Sequence, residues 1–298
     1  MNVDLSLLPP PEVIETLAFE TILQSLKDDF LTRHPAAADV IDLESDPLVK
    51  LLETAAYREL LLRARYNDEA RSLLLAFATG TNLDHIGVTY FNGTERLTVT
   101  PADNTAVPPT PAIMETDADY RLRLQLQPES ESVAGPRDAF RFHAISADGQ
   151  IKDAAVTSPQ GGTTEVFVLT HTGSGIPGAP LLATVSAALN GESIRPLSEE
   201  VIVSAPAIVN YALSVELTLF AGPATEVVTA AVNAALFAFA TDHHRLGTDI
   251  IRSAIDAAAH QSGVKKVVIV SPPADIACNE GQAPYCTGIT VAIVAIET

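Results

Sequence analysis

The feature that most constrains this chain is a long amphipathic segment between Asp46 and Gly80. Asp46 is a favourable N-cap, Pro47 fits a first helical position that needs no amide donor, and Gly80 suits the left-handed residue after a helix. The segment predicts one helix of about 33 residues, roughly 50 Å long. Because this is about three times the mean helix length, we expect one side of it to contact another helix or another chain.

Apolar residues recur along this predicted helix at three-, four- and seven-residue spacing, which indicates a stripe along one side. The stripe is a candidate partner interface made of Leu48, Leu52, Ala55, Leu62, Tyr66, Leu73 and Phe77. A second set widens the apolar surface: Leu51, Leu60, Leu61, Leu74 and Leu75. A preceding helix, predicted from Pro11 to His34, would form an antiparallel pair with it. The two helices would leave part of their apolar surface exposed. We expect that surface to be buried either by later domains of this chain or by another chain.

The whole pattern predicts an α+β protein, with an N-terminal long-helix pair followed by two small mixed α/β-sheet domains. Residues 1–82 form the helical partner-binding region, and residues 83–133 a linker with short helices. A short helix with Thr81 or Asn82 as its cap is expected at its start, and a charged helix at 117–127. Between them, four prolines within 101–119 favour extended backbone. The two sheet domains are predicted at 134–206 and 207–298.

A pattern of helix, strand, turn and strand recurs three times after Val133. Helices are predicted at 136–147, 180–190, 224–240 and 248–261. The predicted strands are IKDAAVTS, TTEVFVLT, EVIVSA, VNYALSVELTLF, VKKVVIVS and GITVAIVAI. Alternation within VNYALSVELTLF predicts a half-buried strand with one apolar face, made of Tyr211, Leu213, Val215, Leu217 and Leu219. Helices between strands require crossover connections, which predicts mixed sheets. The repeat is weak in sequence, and similar turn chemistry alone could produce it.

Charge and composition exclude several classes of partner. The formal net charge is −19, and acidic residues are spread along the chain with no basic stripe. Binding to nucleic acid or to an anionic membrane surface is therefore not expected. The N-terminus lacks the positive and apolar regions of a secretion signal. The densest apolar stretch, at 230–240, is too short to span a bilayer.

No motif for catalysis or cofactor binding stands out, so we predict no catalytic and no cofactor-binding residues. The P-loop, the dinucleotide fingerprint and the GxSxG nucleophile elbow are all absent from the sequence. Tyr120, Arg121 and Arg123 form a small positive cluster, expected to pair across an interface or to form a weak surface ion pair. Two cysteines do not make a disulfide scaffold, and a reducing cytosol is the expected place of folding.

The strongest metal candidate is a set of histidines and cysteines near the C-terminus. Its members are Asp242, His243, His244, His260, Cys278 and Cys286. The two thiols are separated by seven residues, where structural zinc sites use two to four, and adjacent histidines point apart. Ordinary free cysteines and a loop connection are therefore the favoured interpretation, and no metal is predicted.

Several stretches together resemble the baseplate J-like family of contractile phage tails and related injection machines. They include DLESDPLVKLLETAAYRELLLRARYNDEARSLLLAFATGTNLDHIGV, DYRLRLQLQPESESVAGPRDAFRFHAISA, LGTDIIRSAIDAAAHQSGVKKVVIVSP and APYCTGITV. The likeness covers nearly the whole chain. Residues 44–85 and 128–147 are its most specific parts, and the Pro-rich linker is the least similar.

The resemblance implies a structural wedge subunit of the tail baseplate, without catalytic residues, needed for baseplate assembly. It implies that the N-terminal helices join a bundle with a second wedge protein, similar to tail protein I. It also implies that the C-terminal domains contact a second copy of the chain, giving a homodimer. A protein similar to baseplate W and components of the hub and sheath are the further implied partners. The implied location is the virion tail, after assembly in the cytoplasm of the bacterial host.

Two alternatives remain open from the sequence. One is a metal-dependent enzyme that uses the region of His243, His260, Cys278 and Cys286. The other is a receptor- or sugar-binding tail component, which would expose aromatic residues in loops. The chain has 6 Tyr, 10 Phe and no Trp, and most of these lie within predicted regular elements.

Overall fold

The computed structural model describes residues 5, 9, 11–132, 135–192, 194–196, 198–222 and 224–297. Within these ranges the chain forms eight α-helices and three small β-sheets, which confirms the predicted α+β class. It divides into two compact units, residues 1–95 and residues 96–298. No helix of the described ranges is long and apolar enough to cross a bilayer.

The first unit contains three helices: α1 (Phe19–Arg33), α2 (Pro47–Ser72) and α3 (Gly80–Tyr90). Helices α1 and α2 contact each other, and a single 3₁₀ turn at Pro35–Ala37 lies in the segment that connects them. The side chains buried in this unit include Ile22, Ile41, Val49, Ala56 and Leu83.

Helix α2 begins where the sequence predicted and ends earlier. The Asp46 carboxylate accepts a hydrogen bond of 2.8 Å from the Leu48 amide, and Pro47 occupies the first turn. The helix ends at Ser72, after 26 residues. The backbone amides of residues 73 and 74 donate to carbonyls three residues earlier, whereas α-helical amides donate to carbonyls four residues earlier. The prediction of one helix to Gly80 is therefore wrong. Packing of the apolar run 74–78, which is half-buried or buried, outweighs helix propensity, a weak local preference.

Helix α1 also begins later than predicted, because α2 binds the backbone before it. The side-chain amide of Asn67 accepts a 3.0 Å bond from the Glu15 amide and donates a 2.8 Å bond to the Glu15 carbonyl. Arg63 adds a 3.0 Å ion pair to the Glu15 carboxylate. These bonds hold residue 15 out of helical geometry, and α1 starts only at Phe19. The predicted caps of α3 are also wrong, since Thr79 precedes that helix without a side-chain cap.

The second unit begins with a hairpin in place of an open linker. Strands β1 (Thr98–Thr100) and β2 (Ile113–Met114) pair antiparallel, and Asp103 bridges Thr110 between them. Helix α4 (Asp117–Leu126) follows, where Thr116 accepts a 3.2 Å bond from the Asp119 amide. The predicted charged helix is confirmed, and a 3₁₀ turn containing Pro128 ends it.

A first three-stranded sheet has the order β3-β4-β5. Its strands are β3 (Ile151–Gln160), β4 (Thr163–Thr170) and β5 (Glu200–Ser204). Strand β4 pairs antiparallel with β3 and parallel with β5, because α6 (Ala179–Leu189) makes the crossover. Helices α5 (Arg137–Ser146) and α6 supply the side chains that close its core, including Phe140, Ala144, Val185 and Leu189.

A second sheet has the order β7-β6-β8. Its strands are β6 (Ala207–Phe220), β7 (Val264–Ser271) and β8 (Gln282–Glu297); its helices are α7 (Thr225–His243) and α8 (Arg252–Ala259). Strand β6 runs antiparallel to β7 and parallel to β8, so both sheets are mixed, as predicted. Its inner side is buried against the helices, as its alternation predicted: Tyr211, Leu213, Val215, Leu217 and Leu219.

The predicted repeat does not hold in its second copy. Strands β5 and β6 belong to different sheets and do not pair, although only Ala205 and Pro206 separate them. A proline there removes a donor from a strand, which favours a break in pairing. Strand β8 is also longer than predicted, beginning at Gln282 rather than Gly288.

Candidate partner interface

The predicted stripe lies mostly on the exposed side of α2. Leu62 is 48% exposed, and Ala55, Tyr66 and Leu73 are exposed as well, whereas Leu48 and Leu52 are half-buried. Leu73 follows the last helical residue. Phe77 lies beyond the helix and is half-buried, so it is not part of a continuous α2 stripe.

The opposite side of α2 is the one that the first unit buries. Val49, Ala56 and Asn67 are buried there, at spacing of seven and eleven residues, which places them on one side of a helix. The exposed side carries Leu51, Ala55, Leu62, Tyr66 and Leu73, at alternating spacing of four and seven. We call this set the α2 stripe. Leu51 was assigned to the second apolar set, and its four-residue spacing from Ala55 is the signal that places it here.

Charged residues border the α2 stripe without covering it. Arg65 and Glu69 form an exposed ion pair of 2.8 Å, and Arg63 binds Glu59 at 2.6 Å. Exposed pairs of this kind contribute little to stability. An apolar stripe with a polar border is the usual composition of a surface that packs against a partner helix.

The metal candidates are not brought together. Within the described residues, no group of three or more His, Cys, Asp or Glu side chains could hold a metal ion. His243 stacks on Phe239 and bonds its carbonyl, while His260 caps the end of α8. Cys278 and Cys286 are free thiols, and burial raises the pKa of the Cys278 thiol. The contacts of His243 and His260 are structural and need no metal.

Two members of the predicted positive cluster, Tyr120 and Arg123, are buried rather than at the surface, whereas Arg121 is half-buried. Arg123 forms a buried ion pair of 2.7 Å with Glu115, and Tyr120 is fully buried between the guanidinium groups of Arg123 and Arg96. Glu115 precedes α4 and lies eight residues from Arg123 in sequence, so helical spacing alone could not reveal the pair. This cluster therefore holds the start of the second unit together.

Polar side chains also join the two sheets of the second unit. The buried Asp153 carboxylate of β3 accepts bonds from Arg141 at 2.7 Å and from the Leu246 amide at 3.1 Å. The neighbouring Lys152 donates a 3.0 Å bond to the Thr241 carbonyl at the end of α7. Buried carboxylates are costly unless paired, so these contacts fix the position of one sheet against the other.

Beside this junction lies a cavity of about 520 Å³ that includes Lys152, His171 and His244 in its lining. Burial lowers the pKa of each of these three groups. The Nδ1 atom of His244 donates a 2.6 Å bond to the Pro284 carbonyl, and its Nε2 atom is buried with no partner among the described residues. A Cβ on Gly175, whose φ is +87°, would lie 3.0 Å from that Nε2 and 2.4 Å from Leu169. A residue with a side chain would therefore clash at this position, and glycine does not.

Three domain families match consecutive parts of the chain. They are the Baseplate J-like N-terminal domain at residues 44–103, the Baseplate J-like central domain at 132–205, and the Baseplate J-like protein C-terminal domain at 211–292. The chain is also 47% identical over 290 residues to Baseplate protein J of Escherichia phage P2, covering 96% of this chain and 95% of that protein.

These matches define the class of protein, a structural component of a phage tail baseplate. The chain belongs to the Baseplate J-like family, which confirms the resemblance drawn from the sequence. Neither a metal-dependent enzyme nor a receptor-binding component gains support from them.

Proposed function

We propose that this chain is a non-enzymatic wedge subunit of a contractile tail baseplate, needed for assembly of that baseplate. The observation that carries the proposal is the α2 stripe, an apolar surface left exposed on a 26-residue helix. The 47% identity to Baseplate protein J of phage P2 supports the same role. The protein would act in the virion tail, after assembly in the host cytoplasm.

The proposed occupant of the α2 stripe is a helix of a second wedge protein, similar to tail protein I. The stripe repeats at alternating spacing of four and seven residues. This eleven-residue period keeps the stripe on one side of the helix, where a long partner helix can pack against it. Residues 134–206 and 207–298, as two sheet domains, would contact a second copy of the chain, a protein similar to baseplate W, and the hub and sheath.

A pair of aspartates on the stripe tests the bundle contact. Leu62→Asp with Tyr66→Asp places two charges in the proposed interface, where burial of an unpaired charge is costly. We expect the variant to lose co-purification with the second wedge protein. The half-buried Leu52 is left unchanged, so that folding of the first unit is spared.

The matched control is Leu61→Asp, because Leu61 is also 48% exposed but lies about 100° around the helix from Leu62. The control should co-purify normally. Loss of binding by both variants, or by neither, would contradict the stripe assignment.

The assembly role is tested by electron microscopy of lysates from a phage that lacks this gene. We expect no assembled contractile tails, and restoration when the gene is supplied in trans. Normal, infective tails without the gene would refute the role. Assembled tails that do not adsorb would instead favour receptor binding.

A further inference from the structure

Strand β8 has a long free edge that carries no charge before its last residue, Glu297. It pairs with β6 on one side and with no other strand among the described residues. From Gly288 to Ile296 it contains neither a charged residue nor a proline. Val294 is 55% exposed, and Ile293 and Ile296 are exposed too.

The other sheet edges are protected against pairing. Strand β7 carries Lys265 and Lys266 on eight residues, β3 contains Pro159, and β5 is only five residues long. Lysines, prolines and short length are among the devices by which proteins prevent edge-to-edge association. A long neutral edge beside three protected ones indicates that β8 normally has a partner.

One side of α7 extends this neutral edge. Helix α7 contacts β8, whereas α8 contacts β7. Phe237 and Thr241 line the same cavity as Gly288 and Ile289, so that side of α7 borders β8. Ala230, Ala234 and Phe237 recur there at four- and three-residue spacing and are exposed.

We propose that the β8 edge and this side of α7 form the contact between two copies of the chain, related by a twofold axis. The two β8 strands pair antiparallel and join two three-stranded sheets into one of six strands. The α7 helices approach each other beside them across small alanine side chains. This inference rests on the proposed homodimer and names its surface.

The lack of charge on this surface favours a second copy of the chain as its partner. Each chain carries a net charge of −19, so two copies repel wherever their acidic surfaces meet. Between Thr225 and Thr241 only Glu226 is charged, and β8 has no charge between Gly288 and Ile296. A basic partner would be drawn to acidic surface instead, whereas a neutral, self-complementary strip suits the same strip on a second copy.

The size of the strip is sufficient for a modest dimer. Nine strand residues extend about 30 Å, and one strand with one helix is about 15 Å wide. Each copy would bury on the order of 500 Å², or about 1,000 Å² in total, which is the lower limit for a specific interface.

A lysine on the edge tests the surface in the purified full-length chain. Val294→Lys should weaken the dimer on the order of 100-fold, because the twofold axis introduces two unpaired charges into one contact. Sedimentation velocity over a concentration series measures it. The control is Val270→Lys on β7, since Val270 is 51% exposed, and it should dimerise like the unchanged protein.

Cysteine substitutions test the geometry. In antiparallel twofold pairing only a residue near the axis meets its own copy, so disulfide formation should peak at one of Thr290→Cys, Ala292→Cys and Val294→Cys. The unchanged chain, with its two native thiols, gives the background. Equal crosslinking at all three positions, or none, would overturn the pairing.

A monomer at every concentration, or a dimer unaffected by Val294→Lys, would overturn this inference and leave the wedge role standing. A chain that dimerises as described but does not bind a second wedge protein would contradict the α2 assignment alone. Circular dichroism and the urea midpoint of each variant confirm that it is folded.

Discussion

At the scale of single residues, buried polar side chains determine how the second unit is held together. Glu115 accepts bonds from the Arg123 guanidinium at 3.0 and 2.7 Å and from the Leu97 amide at 3.2 Å. Removing one partner of such a pair leaves an uncompensated charge in the interior. Exposed pairs such as Arg65–Glu69 carry no such penalty.

Replacement of Arg123 by Met should lower the free energy of unfolding of the second unit by about 3–5 kcal/mol. Hydrogen exchange of strand amides under increasing urea measures this loss. Arg65→Met serves as the comparison, with an expected change under about 1 kcal/mol. Equal effects of the two substitutions would show that burial of the Glu115–Arg123 pair does not govern its contribution.

Histidines should make the stability of the second unit depend on pH. Burial lowers the pKa of His143, His171 and His244, so the unfolded chain binds protons first as pH falls. The free energy of unfolding should then decrease below about pH 6.5 and level off once the folded-state pKa values are passed. Denaturant unfolding between about pH 7.5 and 5.5 measures the slope, and His244→Asn should make it shallower. A steeper or unchanged slope in that variant would contradict the assignment.

At the scale of elements, local chemistry predicts where helices begin better than where they end. The start of α2 is correct because Asp46 and Pro47 act within one turn of the chain. Its end depends on how residues 74–78 pack, and the start of α1 depends on Asn67, which is 52 residues from Glu15. Strand alternation in β6 predicted its buried side because the period of two is local. Pairing of β5 and β6 could not be predicted, since sheet membership is a long-range property.

The bond between Asn67 and Glu15 can be tested on its own. Asn67→Ala removes both bonds to the Glu15 backbone and leaves buried polar groups unsatisfied. We expect a loss of about 1–3 kcal/mol in the first unit and faster amide exchange before α1. Asp68→Ala, at the exposed neighbouring position, should change neither quantity. Unchanged exchange in Asn67→Ala would mean that this bond does not hold the segment.

At the scale of the whole molecule, the neutral strip along β8 acts on encounters as well as on the final contact. Two chains that each carry a net charge of −19 repel each other in most orientations. Encounter complexes therefore last long enough to form the dimer mainly when the uncharged surfaces face each other. Electrostatic repulsion therefore separates misoriented pairs of chains before they form any contact. Added salt shortens the range of that repulsion, so misoriented pairs are separated less efficiently. Concentrated salt should therefore speed association while increasing the share of misaligned aggregates.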